Sequence, residues 1–196
     1  MTTRTLAQLF CCLCVAAWCG AAAMMAAAED APVTTPSPKA VEALRLLASE
    51  DAYQRELGFL RLEALREPAT LPIIRRYLDH TSPELRAYSV RALAAIDGLQ
   101  AVTLLLEHLR SDREPIVRRA ALLALEPFQK HHPDIFPAAL AALRDRNTQV
   151  RMAAVDIVSR IDDPRARDAI RRRHRREGRR DVRRVLDLAM KRIGPS

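Results

Sequence analysis

The sequence predicts an all-α protein built from repeated helices, and three observations support this prediction. First, 49% of the 196 residues are hydrophobic, which is too high for a disordered chain, and only 4% are aromatic. Second, 5 glycines stand against 12 prolines, a composition that argues against the many turns of an all-β fold. Third, one helical pattern of apolar residues recurs five times along the chain.

The repeated segments begin at positions 54, 85, 117, 150 and 182, at intervals of 31 to 33 residues. When the first residue of each segment is position 0, apolar or small residues fall at positions 0, 4, 7, 8 and 11 in the last four copies. This spacing places them on one face of an α-helix. We therefore expect the position 8 residues to lie in one continuous core: Leu93, Leu125, Val158 and Met190. Position 1 is arginine in every copy: Arg55, Arg86, Arg118, Arg151 and Arg183.

The first copy differs from the others, because Gln54, Gly58 and Arg61 occupy three of its five core positions. We interpret it as the polar terminal cap of a stack of repeats. Helix starts are indicated by Ser82 before Pro83, by Pro115 and by Asn147. Second helices are predicted between the copies at about 70–79, 99–110, 134–144 and 165–176, with a lone helix at about 39–48 and half a unit at the end. The predicted repeat domain spans residues 38–194.

Residues 1–28 are predicted to be a secretory signal peptide. One charged residue, Arg4, precedes an uncharged, mostly apolar stretch that ends with three alanines, 26–28, which fit the small-residue pattern of a cleavage site. The alternative is an uncleaved anchor, because about 20 apolar residues can span a bilayer. We therefore expect an exported protein, periplasmic or secreted, or else one anchored in the membrane by this segment. Residues 29–37 form a linker rich in proline and threonine.

The sequences Asp112-x4-Val117-Arg118 and Asp145-x4-Val150-Arg151 resemble the HEAT-like repeat family, which is close to the armadillo class. The resemblance implies a short right-handed α-solenoid of about four to five helix pairs. It also implies a structural ladder of hydrogen-bonded acids and arginines along successive repeats: Arg86, Asp112, Arg118, Asp145, Arg151 and Arg183. The sequence departs from the family pattern at His80 and Glu177, which stand in place of the acid in two other copies.

No motif in the sequence indicates catalysis. Some HEAT-like proteins are iron-dependent deoxyhypusine hydroxylases with repeated His-Glu pairs, but no His-Glu dipeptide occurs here. The five histidines are scattered over different turns and helices, whereas a metal site needs three or four converging ligands. We expect no metal, no other cofactor and a non-catalytic scaffold. Because phycobilin lyase subunits share the fold, the alternative is an enzyme subunit related to them.

The positive charge is concentrated near the C-terminus. Residues 165–192 hold 13 basic and 4 acidic side chains, a net charge of +9, whereas residues 29–163 carry −2. Such a surface suits a protein or an anionic polymer as partner, but it is equally typical of a terminal helix that keeps a monomer soluble. Export and the lack of interleaved aromatic residues argue against nucleic acid. Since repeat proteins bind along their concave surface, we expect helix 165–176 to line it. The predicted partner-binding residues are Arg165, Arg171, Arg172, Arg175 and Arg176.

Overall fold

The computed structural model describes residues 35–194, so the predicted signal peptide and residues 29–34 of the predicted linker lie outside the described residues. The α-helices are α1 (Pro38–Leu47), α2 (Ala52–Leu65), α3 (Leu71–Arg76), α4 (Pro83–Asp97), α5 (Val102–Ser111), α6 (Pro115–Leu125), α7 (Ile135–Ala142), α8 (Thr148–Val158), α9 (Pro164–Arg176) and α10 (Arg180–Ile193). Short 3-10 helices adjoin them at Pro68–Thr70, Tyr77–Asp79, Gly98–Ala101 and Glu126–Phe128. No strand occurs between residues 35 and 194, and the predicted all-α, right-handed solenoid is confirmed.

Helix boundaries follow from local capping, as the sequence indicates. The Ser82 hydroxyl accepts a hydrogen bond from the N–H of Leu85 at 3.4 Å, and the Asn147 side chain accepts one from Gln149 at 2.8 Å. These contacts satisfy backbone donors that have no partner inside the helix. At the other end of α4, Gly98 has φ of +59°, a left-handed value that glycine adopts without steric cost.

Each odd-numbered helix packs against the even-numbered helix that follows it, which gives five complete pairs. The even-numbered helices, α2 to α10, are the five repeated segments. The prediction of a lone first helix and a final half unit was therefore wrong. The apolar spacing shows which face of a helix is buried, but it does not show which neighbouring helix covers that face.

The first repeated helix, α2, is not a polar cap. Gly58 is buried where α1 and α2 approach closely, and a Cβ at this position would lie 2.8 Å from Leu47 Cδ2 and 2.9 Å from the Ala43 carbonyl oxygen. Arg61, on the same helix, pairs with Glu42 of α1 at 2.8 Å. The unusual residues of this copy therefore serve close packing and pairing with α1, and the interpretation as a polar cap was wrong.

The five pairs share one continuous core. Leu93, Leu125 and Val158 are completely buried, as predicted. Met190 packs against the same core but is only half-buried, because α10 is the last described helix and no further pair covers it. A continuous core across repeats is what stabilises a solenoid whose single pairs cannot bury their apolar faces alone.

The two layers of the solenoid are packed to different degrees. The even-numbered helices pack directly against one another from α2 to α10, whereas the odd-numbered helices make few contacts among themselves. In a curved stack of two layers, the more closely packed layer lies inside. The even-numbered helices therefore line the concave surface, and α9 belongs to the outer layer. The prediction that helix 165–176 lines the concave surface was wrong.

Candidate functional site

Arg118 shows how the predicted ladder is built. Its Nε and Nη2 donate to the two carboxylate oxygens of Asp145 at 2.7 Å each. Its Nη1 donates to the backbone carbonyls of Asp112 and Arg113 at 2.9 and 3.0 Å. Asp145 also accepts from the N–H of Asn147 at 2.7 Å. Each such arginine joins the turn before its own helix to the turn before the next repeated helix, so the ladder fixes the spacing of successive pairs.

We call each pair of an arginine and a carboxylate in the ladder a rung. The rungs are largely buried, and their carboxylates are held in the charged form. Burial alone would raise the pKa of Asp145, but the hydrogen bonds from Arg118 and from the Asn147 N–H outweigh it, so the pKa lies below its ordinary value. Arg86 forms the same bidentate pair with Asp112, at 2.9 Å for both bonds. Removal of one partner from a buried charge pair is costly, because the other charge is left buried and unpaired. We therefore assign the rungs a structural role.

Glu177 completes the next rung, although the sequence departs from the family pattern there. Arg151 donates to its two carboxylate oxygens at 3.0 and 3.2 Å, and Arg173 and the N–H of Arg179 each donate at 3.0 Å. Burial would raise the pKa of Glu177, but these bonds outweigh it and lower the pKa from 4.5 to about 2. Arg183 donates to the Glu177 carbonyl and has no further carboxylate to bind within residues 35–194.

The first rung lacks its carboxylate. Arg55 donates through Nη1 to the carbonyls of Ser49 and Glu50 at 2.8 and 2.6 Å, as the other ladder arginines do, but its buried Nε has no partner within the described residues. His80 occupies the position of the acid, where its Nδ1 accepts from the N–H of Ser82 at 3.0 Å. The ring replaces the acid as a cap for the backbone but supplies no carboxylate for the arginine.

A groove of about 710 Å³ lies between α4 and α6 on the concave layer. Buried alanines such as Ala87 and Ala120 form its floor, and Tyr88 and Phe128 contribute aromatic rings. Large apolar side chains remain partly open to solvent on α6: Ile116 is 46% exposed and Leu123 is 39% exposed. Three arginines complete the lining: Arg66, Arg91 and Arg119. The groove was not predicted from the sequence, where its signal is the alanines that stand at buried positions of α4 and α6 in place of larger residues.

The five predicted partner-binding arginines of α9 do not form one surface. Arg165 pairs with Asp163 at 2.8 Å and lies over the ring of Phe136, with its Cζ 4.8 Å from the centroid. Arg171 lies 4.0 Å from Asp168. Arg175 is exposed and lines no cavity with the others. Only two of the five lie together in one cleft: Arg172 and Arg176.

We call this space the α7–α9 cleft; its volume is about 430 Å³. Arg172 and Arg176 share this lining with Arg173 and with Arg144, which lies in the turn after α7. The sequence had not predicted Arg144 or Arg173 as binding residues. The apolar part of the lining consists of Leu140, Ala141, Leu143 and Ala169. An open space with arginines around an apolar floor can bind an anionic group that adjoins an apolar one.

Within residues 35–194, no group of three or more His, Cys, Asp or Glu side chains is placed to hold a metal ion. His174 instead pairs with Asp187 at 2.7 Å and joins α9 to α10. One helical stretch, Pro83–Ser111, is long and apolar enough to cross a membrane, but it consists of α4, a 3-10 turn and α5, and half of its apolar window is buried.

No curated protein sequence matches this chain. Among solved structures, the chain is similar to one in the complex of CpcE and CpcF of phycocyanin lyase from Nostoc sp. PCC7120, with a TM-score of 0.64 and 23% identity over 76% of this chain and 96% of that chain. It is also similar to a designed armadillo repeat protein in complex with the peptide (KR)4, with a TM-score of 0.50 and 12% identity over 78% of this chain and 80% of that one. At these identities, both likenesses show the fold alone.

The family model for HEAT repeats matches residues 37–126 and 113–191, which together include nearly all of the described residues. The matched ranges cover all five helix pairs, apart from the last two residues of α10, and each rung of the ladder described above. The chain therefore belongs to the HEAT repeat family.

Proposed function

We propose that this protein is an exported, non-catalytic scaffold that holds an extended segment of a partner protein in the groove between α4 and α6. One observation carries the proposal. The groove leaves Ile116 and Leu123 partly exposed above a floor of buried alanines, on the concave face of the repeat stack. Apolar side chains grouped in this way on a soluble surface are typical of protein-binding sites.

The shape of the groove favours a chain segment over a folded surface. Small residues, Ala87, Ala94 and Ala120, leave a depression between α4 and α6. Side chains of an extended partner can enter this depression from the solvent side. A volume of about 710 Å³ accommodates a few large side chains. The solvent-exposed concave faces of repeat stacks provide extended binding surfaces of this kind.

The arginines around the groove favour a partner that carries acidic residues next to the apolar side chains that enter the groove. Arg91 is bound by Glu63 at 3.0 Å, but Arg66 and Arg119 have no carboxylate partner within residues 35–194. Arg66 also has φ of +52°, a left-handed value that is normally occupied by glycine or asparagine at a helix end. An arginine in this conformation costs stability, and strained residues of this kind often lie at functional sites.

Export and the absence of catalysis rest on the sequence: the predicted signal peptide at residues 1–28, and the lack of any converging catalytic or metal-ligand motif. The second candidate is an enzyme subunit related to bilin lyases, which is suggested by the fold that this chain shares with a chain of phycocyanin lyase. We rank it second because no residue of this chain can be assigned a catalytic role. An assay of bilin transfer, with the protein alone and with co-purified partners, would distinguish the two.

Selection of displayed random peptides on the immobilised protein tests the groove. We expect selected peptides to combine large apolar residues with aspartate or glutamate, and Leu123→Asp to weaken their binding by more than about tenfold, because it places a charge on the apolar surface. Leu188→Asp is the matched control, since Leu188 holds the equivalent position of the last repeat, is 62% exposed and does not line the groove. Equal binding by the two variants would exclude the groove as the binding site.

A further inference from the structure

We infer that the α7–α9 cleft is a second docking surface, which binds an acidic segment of a partner protein by pairing its carboxylates with Arg144, Arg172 and Arg176 around one apolar side chain. The inference rests on the proposed scaffold function but concerns a different face of the molecule, the outer layer. The two surfaces can therefore be tested separately.

Ion pairs within the chain occupy three arginines of α9 that do not line the cleft: Arg165 is bound by Asp163, Arg167 by Asp162 and, more distantly, Arg171 by Asp168. Arg175 also lies outside the cleft, where it is exposed and has no such pair among residues 35–194. Arg172 and Arg176 have no carboxylate within ion-pair distance among residues 35–194, and neither does Arg144 in the turn that follows α7. Three uncompensated guanidinium groups around one cleft repel one another, and an anionic ligand would relieve that repulsion.

Arg173 strengthens the cleft rather than competing for the ligand. Its side chain is only 20% exposed, and its guanidinium is held by Glu177, with Nε 3.0 Å from Oε2. Glu177 also accepts hydrogen bonds from Arg151, so the ladder holds Arg173 in place on this side of the cleft. A rigid wall lowers the entropy that a ligand loses on binding.

The floor of the cleft explains why the ligand is more than a simple anion. Leu143 is buried, while Leu140 and Ala169 are half-buried and face the space between α7 and α9. Such a floor suits one apolar side chain between acidic neighbours. Arginine forks match carboxylates geometrically, and this chain uses the same bidentate pairing internally between Arg118 and Asp145 at 2.7 Å.

Fluorescence anisotropy of a labelled peptide, Asp-Glu-Leu-Asp-Glu, against the protein tests the inference directly. We expect saturable binding that weakens as ionic strength rises from low to physiological values, because exposed charge pairs are screened by salt. The same peptide with glycine in place of leucine should bind more weakly, and a peptide with lysines in place of the acids should not bind.

Charge-reversed variants separate the cleft from the general positive field of the C-terminus. Arg172→Glu with Arg176→Glu should weaken peptide binding by more than about tenfold. Arg175→Glu with Arg180→Glu changes the net charge equally at exposed residues that do not line the cleft, and should weaken binding by less than about threefold. Ala169→Leu keeps every charge but fills the floor, and should weaken binding by about fivefold. Circular dichroism checks that each variant retains its helical content.

Two results would overturn the inference. Equal losses from the two charge-reversed pairs would show that only the overall charge attracts the peptide. Binding to phosphatidylglycerol vesicles without saturable peptide binding would assign the arginines to a lipid surface instead. Leu123→Asp provides the remaining distinction: if it abolishes binding of groove-selected peptides but leaves the acidic peptide bound, the two surfaces act independently.

Discussion

Replacement of His80 by aspartate should supply the carboxylate that the first rung of the ladder lacks. The equivalence of the position is fixed by two contacts. The His80 ring accepts from the N–H two residues later, as Asp112 does, and the His80 carbonyl accepts from Arg86 at 2.8 Å, as the Asp112 carbonyl accepts from Arg118. In His80→Asp, the new carboxylate can bind the N–H of Ser82 and reach the buried Nε of Arg55.

The expected gain follows from the contacts that change. Satisfying a buried donor that has no partner, Arg55 Nε, is worth about 1–3 kcal/mol. The substitution also removes the stacking of His80 on Tyr77, whose ring centroids lie 5.7 Å apart, at a cost of about 0.5–1.5 kcal/mol. We therefore expect a net increase in the free energy of unfolding of about 1 kcal/mol, or a rise in Tm of about 2–4 °C for a chain of this size.

Urea unfolding followed by circular dichroism measures this change, and a double-mutant cycle with Arg55→Ala assigns it. If aspartate acts through the arginine, the stabilisation must disappear in the Arg55→Ala background. A gain of the same size in both backgrounds would show that the aspartate only caps the backbone. No gain in the wild-type background would refute the interpretation of His80 as an interrupted rung.

The other predictions concern the ladder and the first helix pair. Arg118→Ala should lower the free energy of unfolding by about 3 kcal/mol, because it leaves the Asp145 carboxylate buried and unpaired; an unchanged urea midpoint would contradict this. Gly58→Ala should destabilise by about 1–3 kcal/mol in thermal unfolding despite the higher helix propensity of alanine, since the added Cβ would lie 2.9 Å from a backbone oxygen of α1. Glu177 has a lowered pKa in the folded state, so its contribution is complete above about pH 4.5 and is lost as the pH falls towards 2; wild type should lose about 3 kcal/mol more than Glu177→Gln over that range.

Much of the architecture could be predicted from the sequence because repeated helices must bury the same positions in each copy. The apolar positions place Leu93, Leu125 and Val158 in the core, and the constant arginine at position 1 marks the ladder. The pairing of helices could not be predicted, since one apolar stripe can meet either neighbour along the chain. Gly58 illustrates this, because its close packing is explained only by its contact with α1, the helix that pairs with α2.

The candidate binding surfaces were predicted less well, because they depend on contacts between residues far apart in the chain. The charge excess of residues 165–192 is visible in the sequence, but ion pairs determine which arginines remain available. Arg144 lies in the turn after α7 and lines the cleft only because α7 ends close to α9. The rung at Glu177 likewise required the structure to show that the longer acid reaches Arg151.

The concave layer shows why equivalent repeat positions need not share a function. Leu123 and Leu188 occupy the same position of their repeats, but only Leu123 borders an open apolar groove. Between α6, α8 and α10 the same face is crossed by ion pairs, Arg160 with Glu126 at 2.9 Å and Arg192 with Asp156 at 3.3 Å. Core positions are held constant by packing, whereas the positions that face the concave surface are free to vary. We therefore expect the concave-face residues that differ between repeats to determine which partner is bound, and substitutions there should change binding while leaving the solenoid folded.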